Sequence, residues 1–210
     1  MMKFHFGNIP IKNTNLIRNS LSYVEDIDLH STGNTITLTD LAPFVNVSRK
    51  ELQRKHPDLT NEQIEQFIKE EIKDGVQTIQ YQLITMSTTN GQAPFTSMFM
   101  WIDENENAQI KHDLALIIEE VLKQRIAGVP NEQDAPITVA FPKLLYCLDE
   151  NNVKEGTEYW YLTELAAECS AKRLVPDYIS AKKMRELKGD VYPCINKPVP
   201  NISNNIRKIA

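Results

Sequence analysis

The chain has 210 residues and a formal charge of −5, with 41% apolar and 24% charged residues, a balance that excludes a disordered chain. Seven glycines and eleven prolines exclude collagen-like and low-complexity architectures. The negative charge argues against direct nucleic acid binding, and no apolar run approaches the roughly 20 residues that a membrane helix needs.

Residues Met1 to Asn34 mix polar and scattered apolar residues without a sustained period, which predicts an atypical N-terminal segment with few tertiary contacts. From Thr35 the pattern becomes regular. Ser48 followed by Glu51 reads as a capping box, predicting a short helix from Arg49 to about His56, stopped by Pro57. Thr60 and Gln63 form a second such pair. Beyond it Ile64, Phe67, Ile68, Ile72, Val76, Ile79, Leu83 and Met86 recur at helical spacing, predicting one long amphipathic helix over 61–86. It runs through Gly75, although a glycine costs about 1 kcal/mol in a helix interior.

Asn90-Gly91 ends that helix, and the apolar run from Ala93 to Ile102 predicts a strand buried on both faces. A polar loop leads to a helix from about Asp113 to Ile126, closed by Gly128. Ile137 to Leu148 predicts a second buried strand. An acidic loop over 149–156 precedes a helix from about Glu158 to Arg173, ended by Pro176. Ser180 caps a last short helix that Gly189 terminates. The alternation predicts a parallel α/β architecture with helices outside the sheet. After Cys194, Ile195 to Ala210 has no apolar period and predicts an unstructured tail.

Generic site patterns are sparse. There is no phosphate-binding glycine loop, no H-E-x-x-H and no G-x-S-x-G. The four histidines stand apart, so no metal site is expected. Glu70-Glu71 and Glu119-Glu120 fall on faces expected to be solvated. Asn90, Gly91 and Gln92 stand ahead of a buried strand, either as ligand-binding amides or as turn chemistry. Pro142 belongs at a strand end or bulge, and Lys143 beside it needs either a route to solvent or an anionic partner. Three cysteines cannot all pair, and the first ten residues lack a secretion signal, so reduced thiols and a cytoplasmic location are expected. Cys194, in a proline-bent loop, is the best placed to react; Cys147 and Cys169 fall on a strand and on an apolar helix face.

Several stretches, taken together, resemble the anaerobic (class III) ribonucleoside-triphosphate reductases. They begin with Gly75-Val-Gln-Thr-Ile-Gln-Tyr-Gln and Thr88-Thr-Asn-Gly-Gln-Ala-Pro-Phe, followed by Asp113-Leu-Ala-Leu-Ile-Ile-Glu-Glu and Gln124-Arg-Ile-Ala-Gly-Val. Ala140-Phe-Pro-Lys-Leu-Leu-Tyr, Tyr159-Trp-Tyr-Leu-Thr-Glu-Leu-Ala-Ala, Ala171-Lys-Arg-Leu-Val-Pro-Asp-Tyr-Ile-Ser-Ala-Lys-Lys-Met and Lys188-Gly-Asp-Val-Tyr-Pro-Cys continue it in family order. The resemblance implies an α/β barrel of ten strands in two half-barrels, mostly parallel within each, with outer helices. It implies reduction of ribonucleoside triphosphates under anoxia, with formate as reductant and ATP or deoxynucleotides as effectors. A glycyl radical, installed by an S-adenosylmethionine activase, would oxidise a loop cysteine to a thiyl in a homo-oligomeric enzyme.

The resemblance assigns substrate-side positions to Asn90, Gly91, Gln92, Pro142 and Lys143. Cys194 matches the first cysteine of the radical loop. The family continues Met-Gly-Cys-Arg, with the thiyl on that second cysteine, where this sequence reads Ile195-Asn-Lys-Pro. The first strand's redox cysteine, the glycyl segment and the four-cysteine zinc site have no counterpart in the sequence. The expectation is a partial reductase catalytic domain over 35–194, inactive alone and binding no cofactor of its own. The alternative is a non-catalytic α/β binding or assembly module derived from the reductase.

Overall fold

Strands and helices alternate along most of the chain, and the sheet they build is wound in one direction. The computed structural model describes residues 34–85, 96–130, 133, 135–139 and 141–192. In order these form β1 (Asn34–Thr37), α1 (Ala42–Lys55), α2 (Asn61–Thr85), β2 (Thr96–Met100), α3 (Ala108–Ala127), β3 (Val129–Pro130), β4 (Pro136–Ile137), β5 (Lys143–Leu148), α4 (Trp160–Arg173), β6 (Asp177–Ser180) and α5 (Ala181–Lys188). Four strands make one sheet in the order β1-β2-β5-β6, every neighbouring pair parallel. β3 and β4 are a two-residue antiparallel ribbon between α3 and β5.

Spatial order follows chain order in the sheet, and α1 to α4 all pack on the same face. Their apolar stripes meet Ile36, Met98, Met100, Leu144 and Tyr146 in one continuous core. The two buried strands expected near 93–102 and 137–148 are therefore parallel neighbours, with Met98 level with Leu144 and Met100 with Tyr146. The fold is α/β with a parallel sheet and helices outside it. The second strand is shorter than expected: the run from Ile137 is interrupted, and β5 begins only at Lys143, after the Phe141–Pro142 peptide. Proline supplies no ladder donor, so the strand starts beyond it.

Helix boundaries follow the capping chemistry in most places. Thr60 N–H donates to Gln63 Oε1 (2.9 Å) and Gln63 N–H to Thr60 Oγ1 (3.3 Å), the reciprocal pair anticipated at the start of α2. The Ser48–Glu51 pair is not a cap. α1 already starts at Ala42, with Pro43 in its first turn, where the missing N–H costs nothing. Ser48 is instead buried mid-helix and its hydroxyl donates to Glu71 Oε1 at 2.8 Å. Glu71 is accordingly buried rather than solvated.

α3 starts five residues earlier than expected, because Asn107 caps it by accepting from the N–H groups of Gln109 and Ile110. Asp113, expected at its first turn, is buried inside it and accepts from Arg49 Nη2 at 2.7 Å and Nη1 at 3.1 Å. Arg49 also reaches Glu65, so one guanidinium joins α1, α2 and α3. Burial alone would lower its affinity for the proton; the two carboxylates outweigh it and raise it.

Candidate functional site

Side chains alternate across a strand, so the residues turned away from α1 to α4 define a second face. Phe99, Leu145, Cys147 and Ile179 form its apolar centre, covered by Ala181 and Met184 of α5 and by Val191. Towards the strand starts the same face becomes polar. Thr35, Ser97 and Lys143 are level with one another across β1, β2 and β5, and Asp177 is level with Leu145. Lys143 Nζ lies 2.6 Å from Asp177 Oδ2, both side chains about half exposed. The lysine thus has both the solvent route and the anionic partner its neighbours demanded.

At the opposite end, beyond the C-termini of β2 and β5, a dense polar network gathers. This is the edge where open α/β sheets collect ligand-binding groups. Asp149 accepts from Arg185 Nη1 (2.9 Å) and Nη2 (2.5 Å), from Trp101 Nε1 (2.9 Å) and from the Glu150 N–H (3.0 Å). Burial works to raise the Asp149 carboxyl, but the donors from Arg185 and Trp101 and the Arg185 charge overcome it, and it is held low. Asn152 secures the turn: its Oδ1 accepts from Asp149 N–H (2.8 Å), while its Nδ2 donates to the Cys147 carbonyl (3.0 Å) and Tyr146 hydroxyl (3.1 Å). Beside it Asp103 accepts from Lys111 (3.0 Å) and from the Asn151 side chain. Glu104 is exposed along one side. Protein crowding its carboxyl, with nearby Asp40, nevertheless raises it to about 7, against a Thr39 hydrogen bond that works the other way.

Of the site residues expected from sequence, Pro142 and Lys143 lie at the start of β5, away from this network. Asn90, Gly91, Gln92 and Cys194 lie outside the described residues. The Pro142 carbonyl is gripped by a residue the sequence reading passed over. Arg125 is 2% exposed, and its Nη2 donates to the Pro142 carbonyl (2.8 Å) and its Nη1 to that of Val139 (3.0 Å). Its Nε has no partner among the described residues, and burial lowers the guanidinium to about 10. A signal was available: Arg125 continues the stripe Ile118, Val121, Leu122, on the buried side of α3.

The two described thiols are buried as expected, on opposite faces of the sheet: Cys147 beneath α5 and Cys169 among α1 to α4. Burial pushes both up, Cys147 to about 12. They cannot meet at one metal, so the described thiols do not fit a zinc centre, and no metal-type cluster occurs among the described residues. No helix among the described residues is long and apolar enough to cross a membrane.

Comparison with known proteins places this architecture. The family model for anaerobic ribonucleoside-triphosphate reductase matches residues 31–196. The reductase of that name from Escherichia coli K12 is 32% identical over 165 residues, covering 75% of this chain and 22% of the relative. The Haemophilus influenzae enzyme is 27% identical with the same coverage, and the phage T4 enzyme is 30% identical over 124 residues, 59% of this chain. The chain thus spans about a fifth of the length of these relatives. Because the family model matches more than three-quarters of this chain, the chain belongs to the anaerobic ribonucleoside-triphosphate reductase family.

Proposed function

We propose that this chain supplies an interior part, residues 35–194, of a catalytic domain that reduces ribonucleoside triphosphates to deoxyribonucleotides by glycyl and thiyl radical chemistry. Turnover belongs to the assembled enzyme and not to these 210 residues alone. The observation that carries the reading is the family match laid on a singly wound parallel sheet, with four helices on one face and a face of mixed polarity on the other. Within that domain the face turned away from α1 to α4 is the substrate side. Lys143, whose ion-pair partner among the described residues is the half-exposed Asp177, would serve as a cation for a triphosphate, and Asn90, Gly91 and Gln92 would be further substrate contacts. Formate would act as reductant, nucleotides as effectors, and an S-adenosylmethionine activase and a second copy of the enzyme as partners.

The described thiols support the division of labour. Cys147 and Cys169 are sealed from any incoming radical, and Cys194 matches the loop cysteine that does not carry the thiyl. Misplacing a reacting group by about 1 Å can cost roughly 100-fold in rate, so neither buried thiol substitutes for a poised one. The test is deoxyribonucleotide formation under strict anoxia by the isolated chain, supplied with activase, S-adenosylmethionine, formate and ribonucleoside triphosphate. No product is expected. Turnover that disappears in a Cys194→Ser variant would overturn the assignment of the chemistry to the larger assembly.

A further inference from the structure

α5 is eight residues long, and a helix so short is not stable by itself in water. Its N-terminal end is fixed, because it follows β6 with no intervening loop and Ser180 Oγ accepts from the Lys183 N–H. The apolar contacts of its body are few: Ala181 and Met184 lie over Cys147, Leu145 and Ile179. What fixes its far half is Arg185. The guanidinium makes a two-pronged contact with Asp149, whose side chain is 3% exposed, and stands 5.6 Å from the centre of the Trp101 ring. Trp101 closes the triangle by donating to the same carboxylate. The ends of β2 and β5 and the middle of α5 are thereby joined through one carboxylate. Beyond α5 the chain turns at Gly189, buries Val191 on the same face and brings the Tyr192 N–H to Met184 Sδ at 3.3 Å.

We propose that Arg185 is a positioning residue: through Asp149 and Trp101 it holds α5 over the second face of the sheet and so sets where the chain leaves that face at Tyr192, two residues before Cys194. The bidentate, stacked geometry suits arginine and no other cation, since lysine offers a point charge without the planar fork. The consequence for radical chemistry rests on the reading given under Proposed function, because it is the approach to the cysteine loop that the contact would set.

Two cysteines on opposite faces of the sheet make the contact measurable. Cys147 lies beneath α5; Cys169, on α4, lies in the core that α1 to α4 share and reports loss of the whole fold. In the full chain, alkylation with iodoacetamide, read cysteine by cysteine by peptide mass spectrometry, should be slow at both. Arg185→Met should raise the rate at Cys147 by about 10- to 100-fold through local opening of α5, leaving Cys169 unchanged. Arg185→Lys should give an intermediate rate, and Trp101→Phe, which removes one donor and keeps the ring, a smaller rise. An unchanged Cys147 rate in Arg185→Met would overturn the proposal. If Arg185→Met exposes both thiols together, the milder pair decides: Cys147 running ahead of Cys169 supports the positioning role, and the two rising in step contradicts it. The measurement uses neither nucleotide nor radical, so its failure and the failure of the reductase reading are distinguishable.

Discussion

Single charged residues placed on otherwise apolar helix stripes account for much of the way this molecule is held together. Arg125 and Asp113 on α3 and Glu71 on α2 are all buried, and each is matched by donors or acceptors from another element. Glu104 behaves differently, since protein and nearby Asp40 crowd a carboxyl that stays exposed along one side. Its folded value of about 7 stands above the ordinary 4.5, so the folded state holds the proton more tightly than the unfolded state does. Its contribution to stability is therefore complete below about 4.5 and is lost as the pH rises through about 7. Glu104→Gln should remove that loss. Urea midpoints measured from pH 4 to pH 8 should show the variant gaining on the parent as pH rises, and parallel curves would mean the carboxyl is not so crowded.

Among the elements, the turn after α3 makes the sharpest demand on residue type. Gly128 has φ +76°, and a Cβ there would stand 2.8 Å from both Arg173 Nη2 and the Ile137 carbonyl oxygen. Arg173 is committed at that point, donating to the carbonyls of Ile126 and Ala127 at the end of α3. Gly156 has a similar φ of +87° with nothing within 4 Å. Gly128→Ala should thus cost about 2–3 kcal/mol and Gly156→Ala only about 1 kcal/mol, measured by equilibrium unfolding; equal costs would remove the steric part of the argument.

These same elements show what the sequence could convey. α2, α4 and α5 were legible because their stripes are long or their caps are local, as at Thr60–Gln63 and Ser180. β1 and β6 escaped notice because four residues with one buried isoleucine each, Ile36 and Ile179, cannot establish an alternation. The Ser48–Glu51 pair is misleading because a cap signature is only four residues wide, whereas Pro43 and tertiary burial of Ser48 decide the start of α1. The Trp101–Asp149–Arg185 cluster was invisible in principle, since it joins residues 48 and 36 positions apart through the register of the sheet.

On the scale of the whole molecule, four parallel strands in chain order with all crossing helices on one side cannot finish a closed, two-sided fold by themselves. Among the described residues, α5, Val191 and the partly buried Trp101 shelter the other face. Such a sheet suits one arc of a larger barrel whose interior is completed by further strands, which fits a chain matching about a fifth of its reductase relatives. The most direct measurement is a transplant. Residues 35–194 of this chain replace the matched segment of the Escherichia coli relative, and the chimera is assayed for deoxyribonucleotide formation under anoxia, with the proposed glycyl radical counted by electron paramagnetic resonance. The account predicts turnover above background, reduced in Lys143→Ala. A folded chimera that carries the radical in normal yield but forms no deoxyribonucleotide would contradict it.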